Sequence, residues 1–118
     1  MFTLFGIKSC DTCRQARQFL TDEGVDFKFH DLRIDGLDIQ TLERWSDRIG
    51  WEKLLNRKSL TWRKLPEVDR VDMTRDKAIA AMLERPTLIK RPVIEADHFI
   101  AVGFAKERFA EFMKTNKL

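Results

Sequence analysis

No stretch of this 118-residue chain approaches the roughly 18 consecutive apolar residues of a membrane-spanning helix, which excludes a transmembrane protein of that kind. No block of one charge sign is present either. The 22 Lys and Arg are interspersed with 19 Asp and Glu, leaving a net charge of +3. Without a basic stripe or a recognisable binding motif, that small excess does not argue for a nucleic-acid partner. Cysteine is scarce: Cys10 and Cys13 cannot build a disulfide framework. Zinc would need two further good ligands, and the histidines, His30 and His98, both fall on the polar phase of a predicted strand, where a surface histidine is the ordinary outcome. The N-terminus has no basic region ahead of its apolar stretch and meets Lys8 early, so it does not read as a secretory leader. The cytoplasm is the expected compartment, and its reducing poise would keep the two cysteines as thiols except during chemistry.

What is present suits one compact domain. The chain is 43% hydrophobic and 35% charged, and its nine Phe and three Trp supply large surfaces for a single core. Phe2 to Ile7 read as a short buried strand entering a loop at Lys8-Ser9. Cys13, Ala16 and Leu20 follow at helical spacing, with Phe19 beside them, up to a stop at Gly24. Val25, Phe27 and Phe29 alternate with Asp26, Lys28 and His30 as a half-buried strand. Helical spacing returns from Asp38 to about Trp51 and again through Ala78, Ile79, Met82 and Leu83 before Pro86, while Asn56 to Lys64 read as a basic loop and turn. Val93-Ile94-Glu95 and His98 to Val102, joined by Ala96-Asp97, look like a closing hairpin. Ala105, Phe109, Phe112 and Met113 then define a last amphipathic helix. The order is β-α-β, a helical block, then β-β-α.

Chemistry concentrates in Cys10-Asp11-Thr12-Cys13. A cysteine at a strand-to-helix junction meets unpaired backbone N–H groups and the positive end of the helix dipole, which favour its thiolate. Such placement lowers a thiol pKa from about 8.5 into the range of roughly 3.5 to 7.5, and the thiolate is the attacking form. Cys10, in a polar loop between Ser9 and Asp11, is the expected nucleophile. Cys13, one turn on, is placed either to resolve a mixed disulfide or to pack in the core beside Ala16 and Leu20. Lys8 and Arg14 flank the pair and would add positive charge near a thiolate. Arg57-Lys58 and Arg63-Lys64 around Trp62 read as a solvated face with a core-anchored Trp rather than as an RNA-binding patch.

Four segments carry a family resemblance: Gly6 to Ala16 (GIKSCDTCRQA), Gly50 to Asn56 (GWEKLLN), Thr61 to Leu65 (TWRKL) and Ile89 to Pro92 (IKRP). Together they resemble the ArsC/Spx family, most of all its YffB branch, along essentially the whole chain. The resemblance implies an α/β, thioredoxin-like β-α-β … β-β-α sheet with a helical insertion between the second and third strands. The core would comprise residues 1–37 and 86–118, and the insertion 38–85. It also implies that Cys10 matches the catalytic cysteine of the family's arsenate reductases and Arg91 the arginine before their active-site proline, with Pro92 in a cis-proline loop facing the cysteine. A second arginine follows a Leu-Leu pair in those reductases. Here Leu54-Leu55 is followed by Asn56, and Arg57 stands one place later. Their third arginine falls near Val102-Gly103-Phe104, which has no cation; losing one charge-assisted contact to an oxyanion removes about 1.5 to 3 kcal/mol.

The leading expectation is therefore a monomeric, glutathione-dependent thiol reductase with no tightly bound cofactor, in which glutathione is a co-substrate. Catalysis is assigned to Cys10 and Cys13, and substrate contact to Lys8, Thr12, Arg14, Arg57, Arg91 and Pro92. The alternatives are an arsenate reductase using glutathione or glutaredoxin as donor, and an Spx-like redox-sensing regulator that binds RNA polymerase.

Overall fold

The computed structural model describes residues 2–105 together with Glu107 and Ala110. It divides into two compact units, Met1–Asp31 with Arg91–Leu118, and Leu32–Lys90.

The first unit is built on a four-stranded sheet with the order β2-β1-β3-β4. Its strands are β1 (Phe2–Gly6), β2 (Phe27–Asp31), β3 (Val93–Ala96) and β4 (Phe99–Val102). β1 pairs parallel with β2 and antiparallel with β3, and β3 pairs antiparallel with β4. A parallel neighbour requires a crossover, and α1 (Asp11–Asp22) supplies it. The apolar run of β1 suits a central strand: Phe2 and Leu4 face Ala16, Phe19 and Leu20 of α1 in one cluster with Ile94. Phe27, Phe29, Phe99 and Phe104 pack against that cluster, with edge-to-face ring pairs Phe2–Phe99 at 5.8 Å and Phe19–Phe104 at 5.7 Å. This is the thioredoxin-like strand arrangement.

The second unit is helical, with α2 (Ile39–Ile49), α3 (Trp51–Leu54), α4 (Leu60–Lys64), α5 (Glu67–Arg70) and α6 (Arg75–Glu84), followed by a 3-10 turn at Pro86–Leu88. Leu42 and Trp45 of α2, Leu54 of α3 and Ala78, Ile79 and Met82 of α6 are buried. The break between α2 and α3 falls at Gly50, whose φ of +89° a side-chain-bearing residue rarely adopts. An antiparallel bridge between Leu55 and Ile89 closes the unit, with Asn56 N–H donating to Leu88 O at 2.7 Å and Lys90 N–H to Leu54 O at 2.7 Å.

Several elements differ from the sequence reading. β2 starts at Phe27 because the Val25 N–H is taken by Leu20 O at 2.9 Å in closing α1. The segment read as a basic loop and turn contains α4, nucleated where Ser59 Oγ accepts the Trp62 N–H at 3.1 Å and the Trp62 ring is buried. The hairpin turn lies one residue later than expected, at Asp97-His98, with His98 exposed there rather than in a strand. His30 is in β2 but is half-buried, its ring 5.0 Å from that of Phe5 on the neighbouring strand. The expected last helix, through Phe109, Phe112 and Met113, lies largely outside the described residues. No helix among those described is long and apolar enough to cross a membrane.

Candidate active site

Helices leave their first N–H groups unpaired, and three helices here meet that need with a side-chain oxygen. Asp38 caps α2, Ser59 caps α4 and Thr74 caps α6. α1 is different: its N-cap residue is Cys10, in extended conformation (φ −79°, ψ 124°), and no oxygen fills the place. A sulfur stands where the helix offers its N–H groups.

Burial alone would raise the Cys10 pKa, but that effect is outweighed. The Cys13 N–H, the Cys13 thiol and the Arg91 guanidinium all face the Cys10 sulfur, and together they lower its pKa below the ordinary thiol value. Cys13 goes the other way. Fully buried, it is pushed up to about 11, above all by burial; the Ile7 N–H opposes the rise, the neighbouring Cys10 adds to it, and the Arg91 charge opposes it least. Its room comes from Gly6, since a Cβ there would lie 2.5 Å from Cys13 Sγ. The pair thus consists of one half-buried sulfur whose pKa is lowered and one buried thiol whose pKa is raised.

Arg91 enters β3 through a cis peptide bond to the buried Pro92. Its Nε and Nη1 are buried and have no hydrogen-bond partner among the described residues. Two N–H donors are therefore left beside the Cys10 sulfur for an anionic or carbonyl oxygen on a bound molecule. Pro92 O accepts the Gly103 N–H at 2.8 Å, so Val102-Gly103-Phe104 lies against the proline and brings no cation there.

Of the residues expected to touch substrate, Arg91 and Pro92 are gathered with the cysteines, and Thr12 is half-buried in the first turn of α1. Arg14 is exposed and paired with Asp11. The Lys8 side chain is exposed, whereas its backbone N–H donates to Asp31 Oδ2 at 2.8 Å. Arg57 belongs to the second unit, its guanidinium 5.9 Å from the Trp51 ring and 5.7 Å from the Trp62 ring, in cation–π contact with both. Asn56, at the place of the reductases' second arginine, forms a turn: its carbonyl oxygen accepts the Ser59 hydroxyl at 2.8 Å and its Oδ1 the Lys58 N–H at 3.1 Å. Among the described residues no group of three or more His, Cys, Asp or Glu is gathered to hold a metal ion.

The residue that the sequence reading missed is Asp31, a carboxylate only 4% exposed at the end of β2. The signal was available: Phe27, Phe29 and Asp31 share one phase of the strand, so an acid falls where apolar residues face α1.

The family model of ArsC matches residues 5–112. The chain belongs to the ArsC family. The fold of this ArsC-family chain is shared with the YffB protein, at 41% identity and a TM-score of 0.89, over 94% of this chain and 97% of the other. An arsenate reductase (ArsC) related protein from Brucella melitensis is 44% identical, with a TM-score of 0.77 and coverage of 99% and 95%. In sequence, an uncharacterised protein of Haemophilus influenzae is 39% identical over 109 residues, covering 92% of this chain and 96% of its own. The global transcriptional regulator Spx of Streptococcus pyogenes is 28% identical over 116 residues, covering 96% of this chain and 85% of its own. The fold is that of the ArsC arsenate reductase-like proteins, a group whose relatives include both reductases and regulators.

Proposed function

We propose that this ArsC-family protein is a glutathione-dependent thiol reductase with Cys10 as nucleophile. The Cys10 thiolate attacks the glutathione sulfur of a mixed disulfide; a Cys10–glutathione bond forms, the substrate disulfide bond breaks, and the departing thiolate takes a proton. A second glutathione thiolate then attacks the glutathione sulfur of the adduct, releasing oxidised glutathione and regenerating the Cys10 thiolate. In net terms the mixed disulfide and one free glutathione give the reduced substrate thiol and oxidised glutathione, and no resident cofactor is required. The observation that carries this reading is the Cys10 sulfur at the α1 N-cap, faced by the Cys13 N–H and the Arg91 guanidinium. The unpartnered Arg91 N–H groups suit a glutathione carboxylate. Val102-Gly103-Phe104 supports a peptide-like ligand over a compact oxyanion, which needs several converging cations.

The same environment argues for a monothiol route. With a pKa of about 11, Cys13 is ionised at pH 7 in only about one molecule in 10⁴. Loss of the Cys10 charge in the adduct would relieve part of this rise, but burial, its larger cause, remains. The test is glutathione-coupled reduction of a glutathionylated peptide. Cys10→Ser should abolish turnover and Cys13→Ser should retain most of it; full activity in Cys10→Ser would overturn the assignment, and loss in Cys13→Ser would restore a dithiol cycle.

Arsenate reduction is the second reading, favoured by the two buried Arg91 donors. Glutathione-coupled arsenate turnover exceeding disulfide turnover would put it first. A protein that binds RNA polymerase and transfers no thiol would instead be a regulator.

A further inference from the structure

The loop between β1 and α1 is short, and its hydrogen bonds converge on a single peptide unit. The Ile7 C=O accepts the Cys10 N–H at 2.9 Å. The N–H of the same unit, that of Lys8, donates to Asp31 Oδ2 at 2.8 Å. In a planar trans peptide these two groups point in opposite directions, so the unit is clamped from both sides and cannot rotate without losing both bonds. One clamp is an ionisable carboxylate, 4% exposed, in a place that strand alternation would give to an apolar side chain. Burying such a group is costly unless it is hydrogen-bonded, so its presence calls for a use. A carboxylate acceptor also strengthens the bond on the opposite side of the amide by polarising the C=O. β1 and β2 bring the partners together, because Gly6 is paired in register with Asp31.

The geometry points to Asp31 as a positioning residue that holds the Ile7–Lys8 peptide unit, and through it the Cys10 backbone, so that the Cys10 sulfur stays at the N-terminus of α1. Asp31 acts through the backbone, whereas Cys13 and Arg91 act on the Cys10 sulfur itself. The inference rests on Cys10 being the nucleophile, and its test does not need turnover.

The experiment is the rate of Cys10 alkylation by iodoacetamide as a function of pH, located by peptide mapping, for the wild type, Asp31→Ala and Asp31→Asn. Asparagine keeps one oxygen that can accept the Lys8 N–H, while it removes the charge and turns the other oxygen into an amide NH2. Asp31→Ala should move the Cys10 midpoint toward the ordinary thiol value and slow alkylation at pH 7 by roughly three- to tenfold, as expected for losing one preorganising bond. Asp31→Asn should restore most of the rate. Equal shifts in both variants would mean that charge alone matters and would overturn the proposal. So would an unchanged midpoint in Asp31→Ala, even with a lowered melting temperature, because a merely structural role predicts that pattern. Should Asp31→Ala fail to fold, amide hydrogen exchange of Lys8 in the wild type decides the matter. Protection supports the clamp, and exchange at the rate of an unstructured peptide overturns it. A wild-type midpoint at the ordinary thiol value would instead refute Cys10 as nucleophile, an outcome separate from failure of the clamp.

Discussion

Replacing Arg91 by methionine keeps much of the side-chain volume and removes the cation and every donor. In the folded protein the guanidinium acts on the Cys10 sulfur both by hydrogen bonding and by its charge, and both lower the thiol pKa. A hydrogen bond to a charged group contributes about 1.5 to 3 kcal/mol, and Cys10 is only half-buried, so solvent screening places the effect near about 1.5 kcal/mol. At about 1.4 kcal/mol per pH unit, Arg91→Met should raise the Cys10 midpoint by roughly one unit. The sign follows from the chemistry: Arg91 stabilises the anion alone, so its loss shifts thiolate formation to higher pH. The assay is the pH profile of single-turnover alkylation, with thiolate absorbance as a second readout. Arg91→Lys should fall between the two, since it keeps a charge but loses the planar fork. A midpoint unchanged in Arg91→Met would refute the claim that this arginine activates the nucleophile.

Gly6→Ala should destabilise the protein by about 1–3 kcal/mol in denaturant unfolding, an overpacking cost against Cys13 Sγ at 2.5 Å. In a Cys13→Ala background the cost should shrink; an equal cost in both backgrounds would show that the sulfur is not what Gly6 makes room for. Stability should also fall on the alkaline side. The folded pKa of Cys13 is raised, so its contribution is complete below the unfolded thiol value of about 9 and is lost as pH rises toward about 11. Thermal melts of the wild type and Cys13→Ala across that window should converge as pH increases, and parallel curves would contradict the buried, protonated thiol.

The site was legible in the sequence where local pattern carries it. An apolar strand, a polar Lys8-Ser9-Cys10-Asp11 stretch and the helical spacing of Cys13, Ala16 and Leu20 place Cys10 at a helix start and Cys13 inside, as found. The meeting of Arg91 with Cys10 has no local signature, because it depends on β3 pairing beside β1; only the family resemblance anticipated it. Helix α4 escaped detection because five residues are too few to show a period, although Ser59 before Leu60-Thr61-Trp62 was a usable cap signal. The polar phase of His30 reads as solvent-facing, whereas its cross-strand neighbour Phe5 half-buries the ring, a pairing that alternation within one strand does not show. Asp31 was passed over because an acid at a strand end reads as the start of a loop, yet its phase matched Phe27 and Phe29.

The central claim, that Cys10 alone is the nucleophile of a glutathione-competent site, is tested most directly by mass spectrometry of the protein after incubation with oxidised glutathione. Peptide mapping should find one glutathione on Cys10 and an unmodified Cys13, in the wild type and in Cys13→Ser, with no adduct in Cys10→Ser. An adduct on Cys13, or a wild type that forms none, would contradict it.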